Sequence, residues 1–318
     1  RIAELGAIAI PMTPTMHDAR AARLGKRAAE PRDTYYNGVL SLYGSWLAEQ
    51  AQVRGLGFVD MFSPLNSLTL EQRKTNPSWT MIRDAVHPDP TGQVVMAVAF
   101  LEDMTPRGPV SQIILSEKEG QMTGEGNNGE IGNFQAGDTI SFTFTAKSLP
   151  WVLPDDAAEG LKLTRAGHKL GSEKFTARNL KPGQYELKID GEPVGKWSDG
   201  QLASGVELQE NAGTPQHQQA RKVALLNKQR NDEAMRPLRD QWAQLKGRRN
   251  NLRKAEEAKD PQFEAKKEEF EKWHAGMTSN VSVLLAKAKE FEDQIYAANQ
   301  PQPHRYELAP VAPVNASR

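Results

Sequence analysis

The first third of the chain alternates short apolar runs with amphipathic segments. Residues 6–12 read Gly-Ala-Ile-Ala-Ile-Pro-Met and residues 57–62 read Gly-Phe-Val-Asp-Met-Phe, and both runs are typical of short buried strands. Apolar residues in 35–53 recur at spacings of four, three and four, which predicts a helix with one apolar face. The Asp-Pro pair at 89–90 is a favoured start for a second helix. Strand, helix, strand and helix in this order predict an α/β region, with a parallel sheet covered by helices, over residues 1–107.

The pattern changes to strict alternation in the next third. Residues 140–144 and 185–189 place an apolar side chain at every second position, as half-buried strands do. The Asp-Gly pair at 190–191 suits the positive φ angles of a tight hairpin turn. Residues 180–185, Leu-Lys-Pro-Gly-Gln-Tyr, resemble the tyrosine corner of sandwich domains. We therefore predict a small antiparallel β-sandwich over residues 108–210.

Residues 211–300 are rich in charged side chains and contain few turn signals. Apolar residues at helical spacing lie on both sides of the Asp-Pro pair at 260–261, which predicts a long α-helical hairpin. We expect its apolar seam to include Trp242 and Trp273. Residues 301–318 are rich in Pro and Ala and predict an irregular tail.

Charge and composition exclude several functional classes. The 318 residues include 40 basic and 40 acidic side chains, and this balance argues against a nucleic-acid partner. No apolar run approaches the ~18 residues of a membrane span. The absence of cysteine excludes disulfides, thiolate zinc sites and a cysteine nucleophile. The length predicts two or three domains.

The start of the chain also carries a prediction. It begins at Arg1, without an initiator Met or a signal-peptide pattern. Buried parallel strands need neighbours on both sides, so residues 6–12 favour a fragment whose earlier strands precede Arg1.

The best candidate for chemistry is the segment 84–88, Asp-Ala-Val-His-Pro. A serine enzyme that transfers acyl groups needs an imidazole that accepts the serine proton, and a carboxylate that fixes the imidazole tautomer. Because they stand three residues apart on a tight turn, Asp84 and His87 can form that pair locally. The alternative is a solvated loop in which neither residue has a function.

Residues 83–92, Arg-Asp-Ala-Val-His-Pro-Asp-Pro-Thr-Gly, resemble the last catalytic block of the SGNH/GDSL hydrolases, which are serine esterases and lipases of flavodoxin-like fold. That block reads Asp-x-x-His-Pro, comes shortly before a Gly and precedes the last helix of the domain. The resemblance covers residues 5–104, the end of such a domain. It implies a Ser-His-Asp acyl-enzyme mechanism in which His87 is the general base and Asp84 orients it.

The sequence departs from the family in three blocks. The Gly-Asp-Ser nucleophile block, the Gly block and the Gly-x-Asn-Asp block are absent, and with them the nucleophile and two donors of the oxyanion hole. Residues 137–139, Gly-Asp-Thr, are rejected because they follow His87 and carry Thr where Ser is required. We therefore expect residues 1–318 by themselves to be inactive.

Two further segments contain residues that a functional site could use. His17 follows the first predicted strand, at the sheet end where α/β active sites form, so it is a candidate for lining a substrate pocket; a surface loop is the alternative. Residues 124–129 fit the dinucleotide pattern G-x-G-x-x-G, but no strand precedes them and no helix follows. We expect neither a cofactor nor a metal.

The resemblance implies an ester hydrolase that acts on small carboxylic esters. Multidomain hydrolases of this type in environmental bacteria act on acylated carbohydrates, which favours O-acylated carbohydrates as substrates. A secreted or periplasmic location is consistent with such an enzyme. The alternative is a non-catalytic module, in which the sandwich binds glycans or the hairpin binds a protein partner, attached to a degenerate hydrolase remnant. A Gly-Asp-Ser block upstream of Arg1 would favour the enzyme.

Overall fold

The computed structural model describes residues 2–24, 32–105 and 108–311. The chain divides into two compact units, one comprising Arg1–His217 with Pro303–Arg318 and the other Gln218–Gln302. The predicted α/β and sandwich regions therefore lie in one unit. Seven α-helices have been assigned to the described part of this unit: α1 (Ala19–Leu24), α2 (Arg32–Val53), α3 (Phe62–Arg73), α4 (Pro90–Met104), α5 (Ala158–Thr164), α6 (Ala166–Leu170) and α7 (Asp199–Ser204).

Nine strands form two sheets in the same unit. Their bounds are β1 (Ser111–Lys118), β2 (Gln121–Asn127), β3 (Gly129–Gln135), β4 (Ile140–Ala146), β5 (Glu173–Ala177), β6 (Gln184–Ile189), β7 (Glu192–Ser198), β8 (Val206–Glu207) and β9 (His304–Pro310). The first sheet has the order β2-β1-β5-β8, and β1 pairs with β5 in parallel. The second has the order β3-β4-β9-β6-β7 and its pairs are antiparallel. The chain is thus mixed α/β, and the prediction of a wholly antiparallel sandwich is wrong for the first sheet.

The N-terminal segment forms much less sheet than its apolar pattern predicts. Met12 and Val59 make one isolated parallel bridge, in which the N–H of Thr13 donates to the carbonyl of Val59 over 3.0 Å. No strand is assigned to the described residues before β1, so the predicted strands at 6–12 and 57–62 are wrong beyond this bridge. The physical reason is that an apolar run forms a buried strand only where neighbouring strands pair with it.

Apolar side chains of this region are correspondingly exposed. Ile8 is 83% exposed, and the face of α2 that carries Leu42, Tyr43, Trp46 and Val53 also faces solvent. The helix itself is confirmed. It ends at Val53, and Gly55 follows with a φ of +63° and donates its N–H to the carbonyl of Gln52 in the last turn. The predicted inward apolar face of this helix consists of residues 36, 40, 43 and 47, and the prediction is wrong at Tyr36 and Tyr43, which are exposed.

α4 connects two small cores through two neighbouring faces. One face packs Val95 into a cluster with Met16, Leu65, Met81 and Ile82. The other packs Val94 and Val98 against Ala157 and Ala166, next to helices α5 and α6. The predicted start at Asp89-Pro90 is confirmed, because the Asp89 side chain accepts a hydrogen bond from the N–H of Gly92 and Pro90 takes the first helical position.

The two sheets enclose a larger apolar core. Its side chains come from alternate positions of the strands, and the largest fully buried ones are Phe142, Phe144, Phe175, Leu115, Leu187, Ile189 and Leu308. The predicted hairpin turn is confirmed, with φ of +52° at Asp190 and +86° at Gly191. The tyrosine corner is also confirmed, since the hydroxyl of Tyr185 donates to the carbonyl of Lys181 over 2.9 Å.

The C-terminal strand corrects the sequence interpretation. Residues 304–310, placed in an irregular tail by their Pro and Ala content, form β9 in the middle of the second sheet, between β4 and β6. Tyr306 and Leu308 alternate with charged residues and point into the core. Residues 312–318 lie outside the described residues.

The second unit is an antiparallel helical hairpin, as predicted. α8 (Pro215–Arg230) begins in the first unit and continues through a π-helical turn (Asn231–Met235) into α9 (Arg236–Glu257), and α10 (Phe263–Ala298) returns. The π turn ends two residues before Pro237, which cannot donate a backbone hydrogen bond. Leu245, Met277 and Ala288 are among the buried residues, whereas Trp242 is 53% exposed, so its predicted place in the seam is wrong. In the described residues no helix is long and apolar enough to cross a membrane.

Candidate functional site

Asp84 and His87 lie on the connection between α3 and α4, which contains no regular secondary structure. Two buried residues, Met81 and Ile82, anchor this connection in the small core. The N–H of Asp89 donates to the carbonyl of Met81 over 2.9 Å, immediately before α4 begins. The connection is therefore fixed on both sides of the Asp84–His87 turn.

The turn itself is built by the Asp84 carboxylate. Its Oδ1 accepts hydrogen bonds from the backbone N–H groups of Val86 at 3.0 Å and His87 at 2.7 Å. Its Oδ2 lies 2.7 Å from Nδ1 of the His87 ring. Ala85 between them has a φ of +72°, in the left-handed region. The predicted contact between the Asp84 and His87 side chains is therefore confirmed.

The charge of Asp84 follows from the same bonds. The backbone N–H of His87, then its side chain and then the N–H of Val86 hold the pKa of the Asp84 carboxyl well below its usual range. Since an ionised carboxylate only accepts, a neutral His87 donates from Nδ1 and leaves Nε2 as the basic nitrogen. The His87 side chain is 82% exposed, so Nε2 can be reached from solvent. A proton acceptor with a fixed tautomer is therefore available at the surface.

His17 is buried, so the alternative of a surface loop is wrong for this residue. Its ring meets the ring of Tyr36 edge-on, with 5.3 Å between the centroids, and its backbone N–H donates to Oδ1 of Asn37 over 3.0 Å. A role for His17 in lining a substrate pocket stays a prediction.

Sequence reasoning missed a buried ion pair beside this site. Nη2 of Arg73, at the end of α3, donates to Oδ2 of Asp18 over 2.6 Å, and the hydroxyl of Thr80 donates to the same oxygen over 2.5 Å. The N–H of Asp18 donates to the carbonyl of Ala85 over 3.0 Å. Asp18 is thus bonded to the Asp84–His87 turn. The spacing of these residues along the chain gave no signal, because 55 residues separate Asp18 from Arg73.

Two other histidines make similar contacts with carboxylates. Nδ1 of His304 lies 2.7 Å from Oδ2 of Asp190, and Nδ1 of His168 lies 2.6 Å from Oε1 of Glu207. Nε2 of His304 is buried and has no hydrogen-bond partner among the described residues. A histidine–carboxylate bond is therefore not by itself a functional signature in this chain.

The described residues include no cluster of three or more histidine, aspartate or glutamate side chains suited to a metal ion. The Gly-rich segment 124–129 runs from β2 into β3, with Asn128 at the turn, and is not followed by a helix. It therefore lacks the strand–turn–helix geometry of a dinucleotide site.

A cavity of about 740 Å³ lies at one end of the sandwich. Its lining is mainly apolar and includes Met122, Asp138, Ile140, Asn179, Lys181 and Leu308. None of them belongs to the connection that carries Asp84 and His87. The cavity and the Asp84–His87 pair are separate features of the first unit.

Comparisons with known proteins identify the fold but not a family. No protein-family model matches the chain, and no curated protein matches it. A solved structure described as a gut microbial diltiazem-metabolizing enzyme matches with a TM-score of 0.75 and 22% sequence identity. The match covers 96% of this chain and 73% of that one. This chain shares its fold with that enzyme.

The arrangement of Asp84 and His87 can move a proton but supplies no nucleophile of its own. An exposed imidazole whose Nδ1 is held by a carboxylate can accept a proton at Nε2 and return it. No contact with a serine hydroxyl accompanies the His87–Asp84 bond among the described residues. The Asp84–His87 pair is therefore suited to accepting a proton from a nucleophile that lies outside these described contacts.

Proposed function

We propose that this chain is part of an SGNH/GDSL-type ester hydrolase, and that it supplies the general base and its orienting carboxylate. The observation that carries the proposal is the 2.7 Å contact between Nδ1 of the exposed His87 and the Asp84 carboxylate. It lies in the Asp-x-x-His-Pro segment whose resemblance to the family is described above. The nucleophilic serine lies outside residues 1–318 in this proposal.

The chemistry assigns one role to each residue. Nε2 of His87 takes the proton of the attacking serine as its oxygen bonds to the ester carbonyl, and then gives that proton to the departing alcohol. Water, activated by the same nitrogen, hydrolyses the acyl-enzyme and regenerates the serine. Asp84 holds the ring in the required tautomer and stabilises the imidazolium that forms. No cofactor takes part.

The exposed apolar surface supports the proposal. Ile8 and the face of α2 with Leu42, Trp46 and Val53 would be buried by further strands and helices of an α/β domain. The parallel bridge between Met12 and Val59 has the orientation expected of neighbouring strands in such a sheet. Elements that pack there would carry the serine and the missing oxyanion-hole donors.

The structural comparison supports the proposal that the protein is an enzyme. The matching solved structure is described as an enzyme that metabolizes diltiazem, which is an ester-containing drug. Ester hydrolysis is the reaction that we propose for the protein that contains this chain. Small carboxylic esters are the proposed substrates, with O-acylated carbohydrates favoured by analogy with multidomain hydrolases that carry accessory sandwiches.

Covalent labelling of the full-length protein tests the proposal. A fluorophosphonate probe forms a bond between phosphorus and the serine oxygen and releases fluoride, and the serine proton passes to His87. We expect one labelled serine in a Gly-Asp-Ser block upstream of Arg1, and loss of labelling in His87→Ala. His304→Ala is the matched control, since it removes a histidine with the same aspartate contact. Absence of labelling, or labelling that is retained in His87→Ala, would refute the proposal.

The cavity in the sandwich favours a second candidate, a binding module for glycans or other small ligands. Its volume of about 740 Å³ is large enough for such a ligand, and Asp138, Asn179 and Lys181 supply polar groups among apolar ones. Titration calorimetry with acylated and deacylated oligosaccharides tests it. Binding that is lost in Asp138→Ala or Lys181→Ala, two exposed residues of the lining, together with no His87-dependent hydrolysis, would favour this candidate over the enzyme.

A further inference from the structure

Asp18 is a buried carboxylate for which the proposed reaction has so far given no role. Asp18 is 2% exposed and stands between His17 and the start of α1. Oδ1 accepts hydrogen bonds from the backbone N–H groups of Arg20 and Ala21, both at 3.2 Å. Oδ2 accepts from Arg73 and Thr80. A buried charge with this many donors is held in one position.

The two side chains that donate to the Asp18 carboxylate lie at the start and in the middle of the connection between α3 and α4. Arg73 closes α3, and its Nε donates to the carbonyl of Trp79 over 2.8 Å. The hydroxyl of Thr80 also accepts the N–H of Ile82 over 3.0 Å. Each partner of the Asp18 carboxylate therefore fixes a backbone group in the residues just before the Asp84–His87 turn.

Asp18 also holds the turn itself. Its backbone N–H donates to the carbonyl of Ala85 over 3.0 Å, and the Ala85 side chain is buried against Ala21. Ala85 has a φ of +72°, a left-handed conformation that a residue with a Cβ adopts at a cost and keeps when its surroundings impose it. Ala85 stands between Asp84 and His87, so its conformation determines whether their side chains meet.

We propose that Asp18, acting with Arg73 and Thr80, is a positioning residue for the Asp84–His87 pair. It fixes the Ala85 carbonyl, the carbonyl fixes the left-handed turn, and the turn keeps the Asp84 carboxylate on Nδ1 of His87. Asp18 does not contact the substrate. The use of this pair in catalysis rests on the proposed function, but the positioning itself is a property of residues 1–318 and can be measured without substrate.

The tautomer of His87 reports the positioning directly. Long-range ¹H–¹⁵N correlation spectra of the 318-residue chain distinguish an imidazole protonated at Nδ1 from one protonated at Nε2, and loss of signals in His87→Ala assigns the ring. We expect the Nδ1–H form to predominate. In Asp18→Asn we expect its ratio to the Nε2–H form to fall about tenfold, the equivalent of one charge-assisted hydrogen bond.

Two further variants separate positioning from folding. Thr80→Val removes one hydroxyl at nearly constant shape and should lower the ratio in the same direction, whereas Thr80→Ser keeps the hydroxyl and should restore it. Asp60→Asn is the matched control, because Oδ1 of Asp60 accepts the N–H groups of Phe62 and Ser63 at the start of α3 and does not contact the turn. Its tautomer ratio should equal that of the unaltered chain.

Two results would overturn the positioning role of Asp18. An unchanged tautomer ratio in Thr80→Val, with a cooperative urea transition that shows the variant to be folded, overturns it. An equal fall in Asp60→Asn also overturns it, because the change would then reflect general loss of stability. If Asp18→Asn does not fold, Thr80→Val and Thr80→Ser decide. If the full-length protein shows no His87-dependent labelling, the proposed function fails while the tautomer result still decides this inference.

Discussion

His87 and His304 each place Nδ1 2.7 Å from an aspartate carboxylate, but the His87 side chain is 82% exposed and the His304 side chain 12%. The bond is the same and the surroundings differ. His304 joins β9 to the Asp190 hairpin turn and has its other nitrogen buried. His87 offers its second nitrogen to solvent on a connection between two helices. Exposure, rather than the carboxylate contact, distinguishes His87 from His304.

Residues 1–318 alone should not hydrolyse p-nitrophenyl acetate above the rate of a His87→Ala control. The physical reason is that the proposal places the serine and two oxyanion-hole donors outside these residues. A stopped assay at neutral pH with equal concentrations of both proteins measures this. His87-dependent turnover would mean that a serine within the chain is the nucleophile.

Gly92→Ala should destabilise the first unit by about 1–3 kcal/mol, because the added methyl overpacks the contact between α4 and the turn. A Cβ at this position would lie 2.7 Å from Cβ of Pro88 and 3.1 Å from the carbonyl oxygen of Met81. Urea unfolding followed by circular dichroism measures the change. Gly38→Ala is the control, since a Cβ there meets nothing within 4 Å, and it should be neutral or stabilising by up to about 1 kcal/mol. Equal effects of the two substitutions would contradict the packing argument.

Glu173 should make the stability of the sandwich depend on pH. Burial raises the pKa of Glu173 to about 7, with a smaller opposing effect of a hydrogen bond from Ser111. The folded state then binds more protons than the unfolded state between the ordinary glutamate pKa and 7, so stability falls as the pH rises through that window, by about 3 kcal/mol in total. Above pH 7 this contribution becomes constant.

Urea melts from pH 5 to pH 8 measure this dependence. Glu173→Gln cannot ionise and should lose most of the slope, so that it gains stability relative to the unaltered chain at pH 8. Glu192→Gln, at the exposed start of β7, is the matched control and should keep the slope. A slope that survives in Glu173→Gln would assign the pH dependence to other groups.

Leu308→Ala should cost about 2–5 kcal/mol, because Leu308 is 1% exposed in the central strand of the second sheet. Glu307→Ala in the same strand should change stability by less than about 0.5 kcal/mol, since its side chain lies at the surface beside Arg305. Chemical denaturation of the two variants compares them. Similar small effects would show that residues 304–310 are dispensable, as the sequence interpretation of a tail would have it.

Local signals explain what could be predicted from the sequence. The start of α4 follows from Asp89 and Pro90, the hairpin turn from Asp190 and Gly191, and the Asp84–His87 contact from a spacing of three residues. Each depends on neighbours along the chain. β9 could not be predicted in this way, because its partner strands β4 and β6 are distant in sequence and its alternation is short and flanked by prolines.

The same reasoning explains the missed part of the candidate site. The Asp18 carboxylate meets Thr80 across 62 residues and Arg73 across 55, and no periodicity connects them. The apolar runs at 6–12 and 57–62 show the converse error, because they predict strands that the structure does not contain beyond one bridge. Their composition is that of buried strands, but burial depends on partners that the run itself does not specify.

A double-mutant cycle in the full-length protein tests whether Asp84 acts through His87 in ester hydrolysis. We expect His87→Ala to lower kcat by several orders of magnitude and Asp84→Asn to lower it by up to about 10⁴-fold through the wrong tautomer. The double variant should be no slower than His87→Ala alone. KM should change little. Near-normal kcat in His87→Ala, or effects of the two substitutions that multiply, would contradict the account.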